Sequence, residues 1–346
     1  MNPLQPHGNP ATTRPTVTLV LPIHDEEEVI PELHRRLQDF VHQVGVSVEV
    51  IFVDDGSSDR SLQLLRELSS HEPRYRILSL SRNFGHQVAI TAGLDHSTGD
   101  AVVVMDADLQ DPPEVVKEML EKWREGFDVV YAIRRKRQDE TWFKLVTARV
   151  FYRLFAAMIP IDVPLDAGDF RLMSRRVVVA LGALRETHRF VRGMVAWVGF
   201  RQAKVLYDRP GRFAGQTKYP LRKMARFAVD GITSFSILPL RFSTYLGIVM
   251  SLISLAVTAW ALVSKYVFQR TVTGWTAIVV IIALFASVQF FMIGILGEYV
   301  GRIFEEIKGR PLYVVREAIN MPSADGEVPA SNQPPNGKSG RASLRK

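Results

Sequence analysis

Short apolar, β-branched runs alternate with segments of helical periodicity along the first third of the chain. Val17–Leu21 is closed by Pro22 and reads as a central parallel strand. A helix follows over Pro31–Val44, where Leu33, Leu37, Val41 and Val44 recur at helical spacing and Pro31 suits the first turn. Val48–Val53 is a second strand, and Gly56-Ser57-Ser58-Asp59 turns the chain into a helix over Arg60–Ser69. Ile77–Leu80 is a third strand, Ser81–Gln87 leads into a helix reaching Leu94, and Val102–Met105 is a fourth strand. Pro112-Pro113 then break the backbone toward another helix, and Asp128–Tyr131 reads as a further strand. The alternation predicts an α/β fold with a doubly wound, mainly parallel sheet. Ligands of such sheets bind beyond the carboxyl ends of the strands.

The pattern changes late in the chain. Thr244–Ser264 and Trp275–Gly297 carry no charge, and each is long enough for the ~20 residues that cross a bilayer core. Joined by a short loop, they predict a two-helix transmembrane hairpin, with Trp260, Tyr266, Trp275 and Tyr299 near its ends as interfacial aromatics. The loop holds only Lys265 and Arg270, whereas Lys218, Arg222, Lys223, Arg226 and Arg241 precede the pair and Arg302, Lys308, Arg310 and Arg316 follow it. This bias places both flanks and both termini in the cytoplasm. Thr141–Ile159 mixes Trp142, Phe151 and Phe155 with Lys144, Arg149 and Arg153, which suits an interfacial helix or an amphipathic core helix. The expected division is a disordered tail over 1–15, a cytoplasmic α/β domain over 16–220 and an interfacial helix over 221–241. The hairpin occupies 242–300, a polar helix and extended segment 301–320, and a second disordered tail 321–346. Met1–Thr13 is polar and Pro-rich and does not read as a signal peptide.

Composition narrows the chemistry. The chain has no cysteine, so disulfides and thiolate metal sites are excluded. A net charge of +7 suits an anionic partner without choosing among nucleotide, nucleic acid and lipid headgroup. No Gly-x-Gly-x-x-Gly follows the first strand, and there is neither a Walker A sequence nor an HExxH pattern. What remains is acid at three predicted strand ends: Pro22 with Glu26, Asp54-Asp55, and Asp106-x-Asp108. If Asp106 and Asp108 continue the extended chain, alternation puts their side chains on one side. Such converging carboxylates repel unless a cation lies between them, and hard oxygen donors favour Mg²⁺ or Mn²⁺. His24, His86 and His188 read as structural hydrogen-bonding groups.

Leu21–Glu27, Val53–Asp59, Ser81–Gln87, Met105–Pro113 and Ala167–Arg171, followed by paired apolar spans, together resemble the inverting family 2 glycosyltransferases of GT-A fold. More narrowly, the pattern is similar to polyprenyl-phosphate glycosyltransferases of the dolichol-phosphate-mannose-synthase type, from about Thr16 to Val315. The resemblance implies Mg²⁺ or Mn²⁺ on Asp106, Asp108 and Gln110, and a nucleotide-sugar site using Pro22, Glu26, Asp54, Asp55 and Asp106. It makes Asp169 the candidate at the reacting centre, as base or as positioning group, together with Asp108 and Arg171. Arg171, Arg134, Arg212 and Lys218 become candidates for phosphate contacts, the last two on a Gly-containing loop beside the membrane. The implied partners are a nucleotide-sugar donor, a polyprenyl phosphate acceptor and the membrane, with no nucleic acid. A homo-oligomer is compatible with two spans, without a stoichiometry. UDP-glucose is the favoured donor, because the Ser81–Gln87 motif with two spans resembles bacterial undecaprenyl-phosphate glucosyltransferases. GDP-mannose and other donors, a processive polysaccharide synthase and a non-catalytic membrane scaffold are the alternatives. Arg189–Gly193 lacks the Gln-x-x-Arg-Trp pattern of processive synthases.

Overall fold

The apolar runs become strands buried on both faces, and the amphipathic segments become the helices that cover them. The computed structural model describes residues 16–135, 167–208, 238–268 and 274–322. The expected tail over 1–15, all but the first two residues of the expected tail over 321–346, the Thr141–Ile159 helix, the Arg212–Pro220 loop and nearly all of the 221–241 helix lie outside the described residues. The strands are β1 (Val17–Ile23), β2 (Val48–Asp54), β3 (Tyr75–Leu80) and β4 (Ala101–Val104), then β5 (Val129–Arg134), β6 (Ala167–Ser174), β7 (Gln202–Tyr207) and β8 (Val315–Ile319). Among the described residues they form one eight-stranded sheet in the order β7-β5-β6-β4-β1-β2-β3-β8. β4, β1, β2 and β3 pair in parallel, as do β5 and β7, whereas β6 and β8 run antiparallel to their neighbours.

Helices α1 (Ile30–Val44), α2 (Ser61–His71) and α4 (Val115–Arg124) pack on one face, through Leu33, Leu37, Phe40, Leu65, Val116 and Met119. Helices α3 (His86–His96), α5 (Arg175–Ala183) and α6 (Val191–Trp197) cover the other, through Ala89, Ile90, Val177, Leu181, Met194 and Val195. Each such side chain removed from water contributes about 1.5–3 kcal/mol, and this three-layer core fixes the sheet edge that carries the polar residues. Helix α3 lies unusually close to the sheet. A Cβ at Gly93 would stand 2.2 Å from Val20 Cγ1 and 3.1 Å from Val53 Cγ2.

Two differences from the sequence expectations bear on function. β4 ends at Val104, and residues 106–110 lie in a turn. Extended-chain alternation therefore does not hold at Asp106 and Asp108. The Ala167–Arg171 stretch opens β6, inserted antiparallel between β4 and β5 with Val104 opposite Arg171. Its Gly and its charges disguise a strand, because Arg171 is buried rather than turned to water.

Downstream, α7 (Leu238–Tyr266) and α8 (Trp275–Ile307) are long and apolar enough to cross a membrane, by length and composition. Leu252, Leu255, Trp260, Ile282 and Phe290 on them are exposed. The chain then turns back, and β8 pairs with β3. Tyr313 Oη donates to Asp95 Oδ2 at 3.0 Å, Arg66 pairs with Glu317, and Asn320 Nδ2 donates to Ser69 O at 2.9 Å and Tyr75 O at 3.0 Å.

Replacing Gly93 by Ala should lower stability by about 1–3 kcal/mol through overpacking. Thermal unfolding of the detergent-solubilised protein measures this, and an unchanged midpoint would show that α3 can lift from the sheet at no cost.

Candidate active site

The parallel strands deliver their carboxyl ends to one edge, and antiparallel β6 brings its amino end there too. From β5 through β2 that edge presents Arg134, Asp169, Asp106, Pro22 and Asp54 in spatial order. Residues far apart in sequence thus line a single shelf.

On the β1–β2 side, two loops lock together. The Asp25 carboxylate, at a left-handed φ of 54°, accepts the Ser58 N–H at 2.7 Å, and the Asp25 N–H donates to Ser57 Oγ at 3.1 Å. The Glu26 N–H donates to Ser61 Oγ at 2.8 Å, and the Glu27 N–H to Asp59 Oδ2 at 3.1 Å. Asp54 is 1% exposed and accepts the Ser57 N–H at 3.0 Å and the Ser79 hydroxyl at 2.8 Å. Asp55 accepts the N–H groups of Phe84 at 2.7 Å and Gly85 at 2.9 Å. Burial nevertheless pushes its carboxyl above the ordinary value. The structure therefore uses Asp54 and Asp55 to shape the loops, while Glu26 is half-buried beside them and Pro22 is buried within β1 opposite Val53. Gly56, at φ +68°, lets the Ser81–Gly85 loop approach, since a Cβ there would meet Arg82 C at 2.5 Å.

Beside this pocket, Asp106, Asp108 and Gln110 are half-buried in a turn whose Leu109 has φ 61° and a buried side chain. A branched residue held left-handed is strained, and core packing holds it. The Asp108 carboxylate accepts the Gln110 N–H at 3.1 Å. Buried Asp111 accepts the Asp106 N–H at 3.2 Å and the Tyr207 hydroxyl at 2.9 Å. Arg134, an exposed residue at the end of β5, stands opposite Tyr207 in the sheet.

Across the shelf, Asp169 is 8% exposed. Arg192 grips it with two bonds, Nε to Oδ1 and Nη2 to Oδ2, both 2.9 Å. Gln87 Nε2 donates to Oδ2 at 3.3 Å, and Gln87 Oε1 accepts the Val191 N–H at 3.0 Å. His86 Nε2 stands 3.5 Å from Asp169 Oδ2 and 3.5 Å from Asp106 Oδ1, joining the two halves of the shelf. Burial would raise the Asp169 carboxyl, but hydrogen bonds from His86 and Arg192 and the nearby guanidinium charges hold it well below the usual carboxylate range. Desolvation disfavours the His86 imidazolium, yet the Asp169 bond and the Asp106 charge raise its pKa above the ordinary value.

Arg171 departs from the phosphate contact expected of it. It is 1% exposed, with Nη2 donating to Gly168 O at 2.8 Å and Nε to Asp169 O at 3.3 Å. It braces the main chain under Asp169, so the more accessible of the two arginines here is Arg192, whose side chain is 32% exposed. Arg212 and Lys218 lie outside the described residues. The sequence did not mark Arg192, Gln87, Asp111 or Tyr207 for these contacts. Arg192 stood in a stretch set aside for lacking a synthase motif, and no local signal marked Tyr207.

Among the described residues no three His, Asp or Glu side chains converge as a metal cage. The Asp106, Asp108 and Gln110 donors are all oxygen and half open. An open oxygen set of this kind suits Mg²⁺ or Mn²⁺ that also takes oxygens from a phosphate ligand.

The description "Glycosyl transferase family 2" matches residues 18–182. An uncharacterized glycosyltransferase of Bacillus subtilis, YkcC, is 50% identical over 88% of this chain and 94% of its own. The chain belongs to glycosyl transferase family 2. Within that family, the SfII prophage-derived bactoprenol glucosyl transferase of Shigella flexneri is 40% identical over 87% of this chain and 98% of its own. Among solved structures, glucosyl-3-phosphoglycerate synthase from Mycobacterium tuberculosis overlays with TM-score 0.43 and 21% identity, over 66% of this chain and 84% of that one. This family 2 glycosyltransferase is an enzyme with a GT-A-like α/β fold and two long apolar helices near its carboxyl end.

The depressed Asp169 pKa has a definite sign in stability. Its pairing is fully present above the unfolded carboxylate pKa and is lost as pH falls through the lower folded value. Asp169→Asn should therefore flatten the acid limb of a melting-temperature profile. It should also cost about 3–5 kcal/mol near neutrality by leaving buried cations unpaired. A variant that keeps the wild-type acid slope would show that Asp169 does not supply it.

Proposed function

We propose that the enzyme transfers a hexose from a nucleotide sugar to a polyprenyl phosphate at the cytoplasmic face of a bacterial-type inner membrane, with inversion at the anomeric carbon. UDP-glucose is the favoured donor and undecaprenyl phosphate the favoured acceptor. The reading rests on one arrangement: His86 lies 3.5 Å from both Asp106 and Asp169, so a carboxylate loop suited to a diphosphate adjoins an arginine-rich cluster suited to a second phosphate. The glucosyl transfer to bactoprenol named for relatives at 40% identity supports the substrate class. Helices α7 and α8 support a membrane-held acceptor, and the excess of Lys and Arg on their outer flanks supports cytoplasmic placement of the catalytic domain and both termini.

Asp106, Asp108 and Gln110 would hold Mg²⁺ or Mn²⁺, which when bound offsets the charge that grows on the leaving diphosphate. The loops shaped by Asp54 and Asp55, with Pro22 and Glu26, form the nucleoside side. Arg192 faces the acceptor phosphate, and Arg212 and Lys218 are assigned to phosphates from the membrane side. A phosphate acceptor is already anionic near neutral pH, so its oxygen attacks without a base. Asp169, kept ionised and gripped by Arg192, therefore orients the cationic cluster and need not take a proton. In-line attack by that oxygen, with departure of the nucleoside diphosphate, inverts the configuration in one displacement.

Purified protein incubated with undecaprenyl phosphate and a panel of nucleotide sugars, read by lipid mass spectrometry, tests the reading directly. A monohexosyl phospholipid from UDP-glucose is expected, and polymer formation or no lipid product overturns it. Asp106→Asn and Asp108→Asn should each lower transfer by at least about 100-fold, the scale of losing a main transition-state charge stabiliser. Full metal-dependent transfer by either variant would remove the metal assignment. Between about pH 6 and 8 the turnover number should show no limb from Asp169, because that group is already ionised there.

A further inference from the structure

The turn holding Asp106 is fastened from behind by a residue at the far side of the sheet. Asp111 is 3% exposed and Tyr207 is 6% exposed. Asp111 accepts the Asp106 N–H on Oδ2 at 3.2 Å and the Tyr207 O–H on Oδ1 at 2.9 Å, so one carboxylate bridges strand β7 and the metal turn. The Tyr207 ring packs edge-on against Phe170, with centroids 5.7 Å apart at 89°, which leaves its hydroxyl a narrow range of directions. Burial, with the Asp111 charge, pushes the phenol up to about 12, so its proton is present at any working pH. Tyr207 is also the last residue of β7. Its carbonyl accepts the Arg135 N–H at 3.0 Å, and the chain runs on from it into the segment that carries Arg212 and Lys218.

We infer that Tyr207 and Asp111 are positioning residues for the metal–diphosphate subsite, fixing the Asp106 carboxylate through its main chain and tying it to the end of β7. The inference rests on the donor–metal reading above. An isolated packing role would stabilise the fold without affecting cation affinity, whereas a positioning role ties cation affinity to the hydrogen bonds themselves. Asn at position 111 keeps the shape but not the charge: its amide oxygen accepts from one partner and its amide N–H faces the other, so the charge-assisted bonds become neutral ones. Phe at position 207 keeps the ring and loses the hydroxyl.

The test is Mn²⁺ binding to the full-length, detergent-solubilised enzyme in the presence of UDP, read by electron paramagnetic resonance of free Mn²⁺. Tyr207→Phe and Asp111→Asn should each weaken Mn²⁺ by about tenfold, the size of one hydrogen bond to a charged group. In transfer assays the Mn²⁺ concentration for half-maximal rate should rise by the same factor, with the rate at saturating Mn²⁺ within about twofold of wild type. Phe170→Leu, which removes the packing partner and keeps the hydroxyl, should lower the melting temperature and leave Mn²⁺ affinity unchanged. Wild-type Mn²⁺ affinity in both Tyr207→Phe and Asp111→Asn overturns the inference, as does an equal loss in Phe170→Leu. Asp106→Asn separates the two levels. If it binds Mn²⁺ like wild type, the donor–metal reading itself fails. If it loses Mn²⁺ while the Tyr207 and Asp111 variants keep it, only the positioning role fails.

Discussion

A carboxylate with almost no contact with water must be matched by positive charge, and Asp169 is the point at which this enzyme meets that requirement. An unpaired ionised carboxyl at that depth would lose several kcal/mol of hydration. Two guanidinium hydrogen bonds from Arg192, with Arg171 below and His86 beside, supply the match. These groups come from β6, α6 and the start of α3, so satisfying one charge draws three elements to one place. Gln87 completes the arrangement by bonding both Asp169 and the first residue of α6. The cluster is thus a structural requirement first, and its surplus of positive charge becomes available to an anion second.

The opposite half of the shelf is built by a different device. There the backbone, more than ion pairing, holds the loops, through the bonds that Asp25 gives to Ser57 and accepts from Ser58 and through the two N–H groups received by Asp55. Left-handed Asp25 and Leu109 mark where the chain is bent away from its relaxed conformation. Buried Leu109 holds one bend by packing, and Asp25 holds the other by hydrogen bonding. Loops fastened in this way need little reordering when a ligand binds.

The strands and helices before Pro113 were legible in the sequence because parallel strands buried on both faces are continuous β-branched runs, and the helices between them carry one apolar stripe. Gathering the acids at one edge was legible for the same reason, since parallel strands share a direction. Strand β6 was not, because its alternation places Arg171 inward, and sequence periodicity treats a charge as outward. The roles of Asp54 and Asp111 were equally hidden. A carboxylate that accepts main-chain N–H groups looks, in sequence, like one awaiting a ligand. Arg192 and Tyr207 act through contacts to residues 23 or more positions away, which no local motif encodes.

Strand β8 is translated after both apolar helices, yet it pairs with β3 from the first half of the chain. On the ribosome, the sheet therefore keeps an open β3 edge until α7 and α8 have been made and the chain has turned back. The contact that finishes the sheet spans most of the polypeptide, and such long-range pairing forms late. Synthesis of the two apolar helices and completion of the sheet thus become one ordered event in biogenesis. A chain stalled before β8 would display an unpaired strand edge, a recognised trigger for aggregation and quality control.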